Sequence, residues 1–193
     1  MSVQRGHRIH RYTYGGYLQY EADSNGKHEY LDGEIYAMAG GSLQHAALAV
    51  NVSSALHARL VGKPCVVYSS DLKVRVVASD LATYPDVTIN CGPPEEDPHS
   101  RHVVLNPTLL VEITSPSTED WDRGDKLDHY KKIPSLRECV LVSHRDRRSE
   151  VHRREDDGTW TSQASGPGEV LVLASLGCSL STDEIYQGID LSE

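Results

Sequence analysis

Two short runs constrain this chain more than any other stretch: Tyr84-Pro85-Asp86-Val87-Thr88-Ile89-Asn90 and Leu109-Leu110-Val111-Glu112-Ile113-Thr114. Both are rich in β-branched residues and bounded by turn formers, so both read as strands. Side chains alternate along a strand, so Asp86 shares a face with Tyr84, Thr88 and Asn90, while Val87 and Ile89 point the other way. Glu112 likewise shares a face with Leu110 and Thr114. An acid inside such a run is costly to bury unless it is paired or holds a cation. Two of them on neighbouring strands suit one divalent metal, because Mg²⁺ takes one or two carboxylates and completes its shell with water and phosphate oxygens. The competing reading leaves each acid exposed or pairs it with a lysine or arginine.

The rest of the chain organises itself around these runs. Residues 1–11 read as a polar, basic lead-in, and residues 13–22 as a short helix. Asp32-Gly33 between two β-rich runs is a strong hairpin signal. Ser42 is placed to cap a helix from about 43 to 60, with Leu43, Ala46, Ala47 and Val50 at helical spacing, stopped by Gly62 and Pro64. Strands are expected at 65–68 and 72–77; in the second, Lys73 and Arg75 alternate with apolar residues, which predicts a wet or functional face. Gly92 to Pro98 reads as an exposed acidic loop. After Ser115-Pro116-Ser117-Thr118 a helix is expected over 119–132, with Gly124 its weak point. A strand at 136–142, a hairpin over 150–154 and 160–163, and one more strand and short helix near the end complete the order. The sum is one α/β domain: a mixed central sheet flanked by helices, with an N-terminal hairpin and a late C-terminal one.

Composition sets limits on function. The chain has 193 residues, enough for one domain with a real core, and a net charge of −9 with histidines neutral. That charge excludes a protein that coats nucleic acid non-specifically, but not a nuclease whose metal supplies positive charge at the cut. The four cysteines form no Cys-x-x-Cys pair, so a zinc ribbon is unsupported and buried free thiols are expected. No apolar run reaches the length of a membrane span, and a cytoplasmic location is expected.

Further candidates follow from position. Lys126 lies one helix turn or so after the Glu112 strand ends; a lysine there can orient an attacking water or steady charge gathering on phosphorus. Tyr130 is four residues on and shares its side of the helix, where packing is the blander role. Glu34 opens the strand after the Asp-Gly turn and is a candidate extra ligand. His45 sits in the first turn of the next helix, where it can meet a phosphate or simply pack against the sheet. Asp71 and Lys73 are weaker candidates. Arg145, Arg147, Arg148, Arg153 and Arg154 cluster around the late hairpin, diluted by neighbouring acids, which favours a solvated hairpin over a nucleic-acid groove.

These pieces together resemble the PD-(D/E)XK, or restriction-endonuclease-like, superfamily, and more closely its Uma-type endonuclease family. The stretches that carry the resemblance are His28-Glu29-Tyr30-Leu31-Asp32-Gly33-Glu34, Gly41-Ser42-Leu43-Gln44-His45, Pro85-Asp86-Val87, Leu110 through Thr118, and Asp122 through Lys126 with Tyr130, spanning roughly residues 12–155. The resemblance implies an endonuclease using Mg²⁺ or Mn²⁺ on DNA, with Asp86 and Glu112 as metal ligands, Lys126 as the catalytic lysine and Glu34 as the acid of the first motif. The superfamily usually carries its lysine two residues after the second acid, where this chain has Thr114; the lysine would then have migrated to Lys126. The alternative is a catalytically silent member that binds nucleic acid or a protein. A homodimer is compatible with the sequence, though nothing in it requires one.

Overall fold

The computed structural model describes residues 11–38 and 40–191, so most of the polar lead-in lies outside the described residues. The elements run α1 (Tyr14–Asp23), β1 (His28–Leu31), β2 (Glu34–Ala37), α2 (Leu43–Leu60), β3 (Cys65–Ser69), β4 (Lys73–Val76), β5 (Leu81–Thr83), β6 (Val87–Cys91), β7 (Glu96–Asp97), β8 (Ser100–Val104) and β9 (Leu109–Ile113). Then come α3 (Glu119–Arg123), α4 (Asp125–Tyr130), β10 (Glu138–Val142), β11 (Ser149–Arg154), β12 (Trp160–Ser165), β13 (Val170–Leu173), β14 (Cys178–Ser181) and α5 (Thr182–Ile185). One six-stranded sheet has the order β2-β1-β5-β4-β8-β7 and a second the order β12-β11-β10-β9-β6-β3, with β13 and β14 as a separate pair. Each large sheet mixes antiparallel neighbours with one parallel pair, β4–β8 in the first and β9–β10 in the second. The expected mixed sheet is therefore present, joined by a second one.

Local chemistry explains the elements that frame the site. Asp32 and Gly33 both take positive φ, 44° and 93°, as a two-residue hairpin turn that follows strand twist demands. The Ser42 hydroxyl accepts from the His45 amide at 3.1 Å and starts α2. Leu48, Val52, Ala55, Leu56 and Leu60 of that helix cover one face of the second sheet, where Val87, Ile89, Val111 and Ile113 meet them. The other face, carrying Leu110 and Leu141, packs against Leu127, Tyr130 and Ile133 and against Val74 and Leu81 of the first sheet. The alternation expected for the two central strands holds: valines and isoleucines fill one core, and the acids point to the other side.

Several expectations need correction. Residues 119–132 do not form one helix. A Cβ on Gly124 would stand 2.9 Å from the Asp120 carbonyl, and at this close approach the chain breaks into α3 and α4. The acidic segment before Pro98 is not all loop: Glu96–Asp97 pairs with β8, and Asp97 is buried and caps the turn through the His99 amide at 2.7 Å. Lys73 and Arg75 are not on a wet face. Lys73 lies 4.6 Å from the Tyr17 ring and Arg75 3.7 Å from the Tyr14 ring, so α1 covers them with aromatic faces that stabilise cations. Strands β5, β8 and β13 are short and were not legible.

The cysteines also differ from expectation. Cys65 and Cys91 stand opposite each other at the far end of β3 and β6, with Cα atoms 4.0 Å apart, and are joined by a disulfide. Only Cys139 and Cys178 are free thiols. Sequence spacing of 26 residues hides a contact that strand register creates. Disulfides persist in oxidising surroundings, so the pair stands against the expectation of free thiols only.

The crosslink closes a loop long enough to matter. Reduction, or Cys65→Ser with Cys91→Ser, is expected to lower unfolding free energy by about 2–4 kcal/mol, read as a fall in the urea midpoint. An unchanged midpoint would show that the bond adds nothing to the strand pairing around it.

Candidate active site

The two central strands carry their acids to one end of the second sheet. Val87 pairs with Val111, so one step further Asp86 stands opposite Glu112. The Ile113 amide donates to Asp86 Oδ2 at 2.7 Å, which fixes that carboxylate against the neighbouring strand. Glu112 is only 4% exposed. Its Oε1 accepts from the Tyr130 hydroxyl and from Lys126 Nζ, the latter at 3.1 Å.

Lys126 ties the site together. It is 4% exposed, and its ammonium lies 3.0 Å from Glu29, 3.1 Å from Glu112 and 3.6 Å from Asp122. Glu29 comes from β1, where the extended register sets it across from Thr83 of β5, whose hydroxyl donates to it. Asp122 comes from α3, with the Thr118 hydroxyl donating to its second oxygen at 2.6 Å. On the other side of Asp86, His45 Nε2 is 3.3 Å from Oδ1. A Cβ on Gly41 would stand 2.7 Å from His45 Nδ1, so glycine leaves the imbalance of space that the ring fills.

Electrostatics follow from this crowding. Burial raises the Glu112 pKa to about 8; Lys126 pulls it down, and the charges of Asp86 and Asp122 push it up. Burial and the neighbouring acids also raise Asp122, against the pull of Lys126 and Thr118. For Lys126 burial disfavours the ammonium, but Glu112, Glu29 and Asp122 outweigh it and hold its pKa above the usual lysine value. The bond to Asp86 raises His45, against the effect of its partial burial. The acids outnumber the cations here.

The structure gathers Asp86, Glu112, Lys126, Tyr130 and His45 in one place. It leaves two candidates elsewhere. Glu34 sits exposed on the edge strand β2, where the Tyr36 hydroxyl donates to it. Asp71 is exposed and paired with Lys27 at 2.7 Å. Thr114, where a lysine is usual, is fully buried with its hydroxyl 2.9 Å from His144 Nδ1, so no ammonium can occupy its place. Sequence reasoning missed Glu29 and Asp122. Glu29 and Glu34 flank the same Asp-Gly turn, and only the pairing of β1 with β5 decides which acid faces Lys126. Asp122 had a signal, its four-residue spacing from Lys126, although the two residues stand on separate helices. Among the described residues no three His, Cys, Asp or Glu side chains converge as a ready metal cage, and no helix is long and apolar enough to cross a membrane.

Comparison with known proteins bears on the family and the fold. A model of the Uma2 family, described as "Putative restriction endonuclease", matches residues 15–183. The Synechocystis sp. protein slr1290, described as uncharacterized, is 39% identical over 173 residues, 90% of each chain. A second uncharacterized Synechocystis protein, sll1609, is 31% identical over 148 residues, 77% of this chain and 84% of its own. A solved structure described as "a putative nuclease belonging to DUF820", from Anabaena variabilis ATCC 29413, superposes with a TM-score of 0.73 at 15% identity, covering 89% of this chain and 95% of that one. At that identity the likeness speaks for a shared fold.

The raised Glu112 pKa has a consequence for stability. A carboxyl that holds its proton longer folded than unfolded stabilises the fold below its unfolded pKa and loses that contribution as pH rises through the folded one. The metal-free protein is therefore expected to lose stability between about pH 4.5 and pH 8, where Glu112 titrates. Glu112→Gln should flatten that slope. A variant with the same pH slope as wild type would show that Glu112 is ionised throughout.

Proposed function

The chain belongs to the Uma2 family, whose description is that of a putative restriction endonuclease, and from its site we propose that it is a Mg²⁺- or Mn²⁺-dependent endonuclease acting on DNA. One observation carries the reading: a buried ammonium within 3.6 Å of three acids, beside a fourth that stands opposite one of them across paired strands.

The donor set fits a hard divalent cation. Asp86 and Glu112 supply the one or two carboxylates that Mg²⁺ usually takes. Both described partners of Glu112 engage Oε1, which leaves Oε2 for a ligand. Four acids face one lysine and one histidine; burial is the main cause of the raised pKa values of Glu112 and Asp122, and the neighbouring acids add to it against the pull of Lys126. The absence of a three-ligand cage is no obstacle, since such ions complete their shell with water and substrate oxygens. When bound, the cation would polarise the scissile phosphate and make water a stronger nucleophile.

The protein's own groups have separable tasks. Three acids keep Lys126 charged, so it serves as a donor and not as a base. From Nζ it orients the attacking water and steadies negative charge on the phosphoryl oxygens. Tyr130 and Lys126 fix the Glu112 carboxylate on one side, while the Ile113 amide fixes Asp86 on the other. Glu29 and Asp122 position the ammonium between them. His45 lies against Asp86 at the start of α2, where it can hydrogen-bond a phosphate oxygen.

Asp86→Asn, Glu112→Gln and Lys126→Met are each expected to lower divalent-dependent DNA cleavage by about 100-fold or more, while Glu34→Gln leaves it within about twofold. Calorimetry should show Mn²⁺ binding to wild type and weakened binding to the Asp86 and Glu112 variants. Binding of DNA with no product under any divalent cation would favour the catalytically silent alternative. Cleavage unaffected by all three site substitutions would sink the mechanism.

A further inference from the structure

Five arginines crowd the sequence between residues 145 and 154, but the structure gives them different work. Arg153 donates to the fully buried Glu138 at 2.7 Å. Arg154 donates to the carbonyls of Lys131, Ile133 and Pro134 just after α4. Arg145 pairs with Glu119 of α3 at 2.9 Å. Arg147 and Arg148 are exposed, and among the described residues neither has a carboxylate partner. The one described bond from the Arg147 guanidinium, to the Ile189 carbonyl at 3.3 Å, uses Nη2 alone.

These two cations stand on a rigid turn. The Ser143 amide bonds the Arg148 carbonyl at 3.0 Å, and the Tyr186 hydroxyl lies 2.7 Å from the same carbonyl and 2.8 Å from that of Ser143. His144 is held to Thr114, two residues past Glu112. Beside the turn is a groove of about 420 Å³ lined by Asp146, Arg147, Arg148, Ser165, Gly166 and Glu169. One Glu169 oxygen is taken by the Gly166 amide at 2.7 Å.

The turn also lies at the same end of the sheet as the site. Register links Ile113 to Val142, Val142 to Ser149 and Ser149 to Ser165 in one row across the strand ends, one residue beyond the position where Asp86 meets Glu112. At roughly 4.8 Å per strand, the turn is about 10–15 Å along that row from the strand of Asp86. A nucleic-acid strand laid along the row would therefore bring a phosphate to the turn within a few nucleotides of the one at the acids.

We propose that Arg147 and Arg148 clamp the backbone of the substrate strand a few nucleotides from the scissile phosphate. The proposal rests on the endonuclease reading and names how that site holds its substrate. Guanidinium groups suit phosphate, which they can grip with two hydrogen bonds. With a net charge of −9 the chain offers little long-range attraction for DNA, so local cations beside the site that form no ion pair among the described residues carry the contact.

The test is fluorescence anisotropy with a labelled DNA duplex, without divalent cations, over a salt series. Arg147→Ala with Arg148→Ala is expected to lower the slope of log affinity against log salt by about two, near 0.9 for each lost phosphate contact, with Tm unchanged. Arg137→Ala, exposed at the opposite end of the sheet, is the control and should keep the wild-type slope. A double variant with the wild-type slope, an equal loss in the control, or no salt-dependent binding by wild type would each overturn the clamp. Cleavage is read separately. A wild-type slope in the double variant, with cleavage abolished by Glu112→Gln, overturns the clamp alone. A reduced slope with no cleavage under any divalent cation supports the phosphate contact and removes the endonuclease reading.

Discussion

The site depends on one buried ammonium. Taking Lys126 out of water costs several kcal/mol, and only close acids can repay it. Glu29, Glu112 and Asp122 do so from three different parts of the chain: a strand of the first sheet, a strand of the second, and the short helix before α4. The same contact that keeps the lysine charged therefore holds the two sheets and the helix pair in register with each other. Its acids, with Asp86 beside Glu112, in turn outnumber the one lysine and one histidine among them.

The fold is arranged to make this affordable. One face of the second sheet is apolar around its centre, with α2 and the C-terminal strands covering Val87, Ile89, Val111 and Ile113. That core asks nothing of the acids, which alternate onto the opposite face. There Leu110, Leu127, Tyr130 and Leu141 pack below them and keep the end of the sheet dry. The Tyr130 ring belongs to that core while its hydroxyl reaches Glu112, so one residue serves both packing and positioning. The buried Glu138, bonded by Arg153 and by the amides of Ala174 and Ser175, fastens the C-terminal segment to the far end of the same sheet.

Much of this was legible. The Asp-Gly hairpin, the Ser42 cap, the length of α2 and the faces of the two central strands follow from turn chemistry and periodicity alone. So did the pairing of Asp86 with Glu112 and the approach of Lys126, because each needed only one strand contact or one helix turn. What stayed hidden was whatever depended on partners far apart in sequence. Lys73 and Arg75 looked solvated until α1 laid tyrosine rings over them. Cys65 and Cys91 looked unrelated until register set them side by side. The three-residue strand β5 carries too few residues to show a period.

Alternation and turn residues belong to a single strand or helix, so the sequence by itself determined which residues could share a face: two acids aimed away from one apolar core, and a lysine just beyond the second. Which acid across the first hairpin would reach that lysine was decided only by tertiary structure. Glu29 and Glu34 differ little in local chemistry, and the pairing of β1 with β5 sets Glu29 beside Thr83 and within 3.0 Å of Lys126, while Glu34 is left at the open edge. A charge is recruited to a site by its distance from other charges, and distance across sheets is written in the fold.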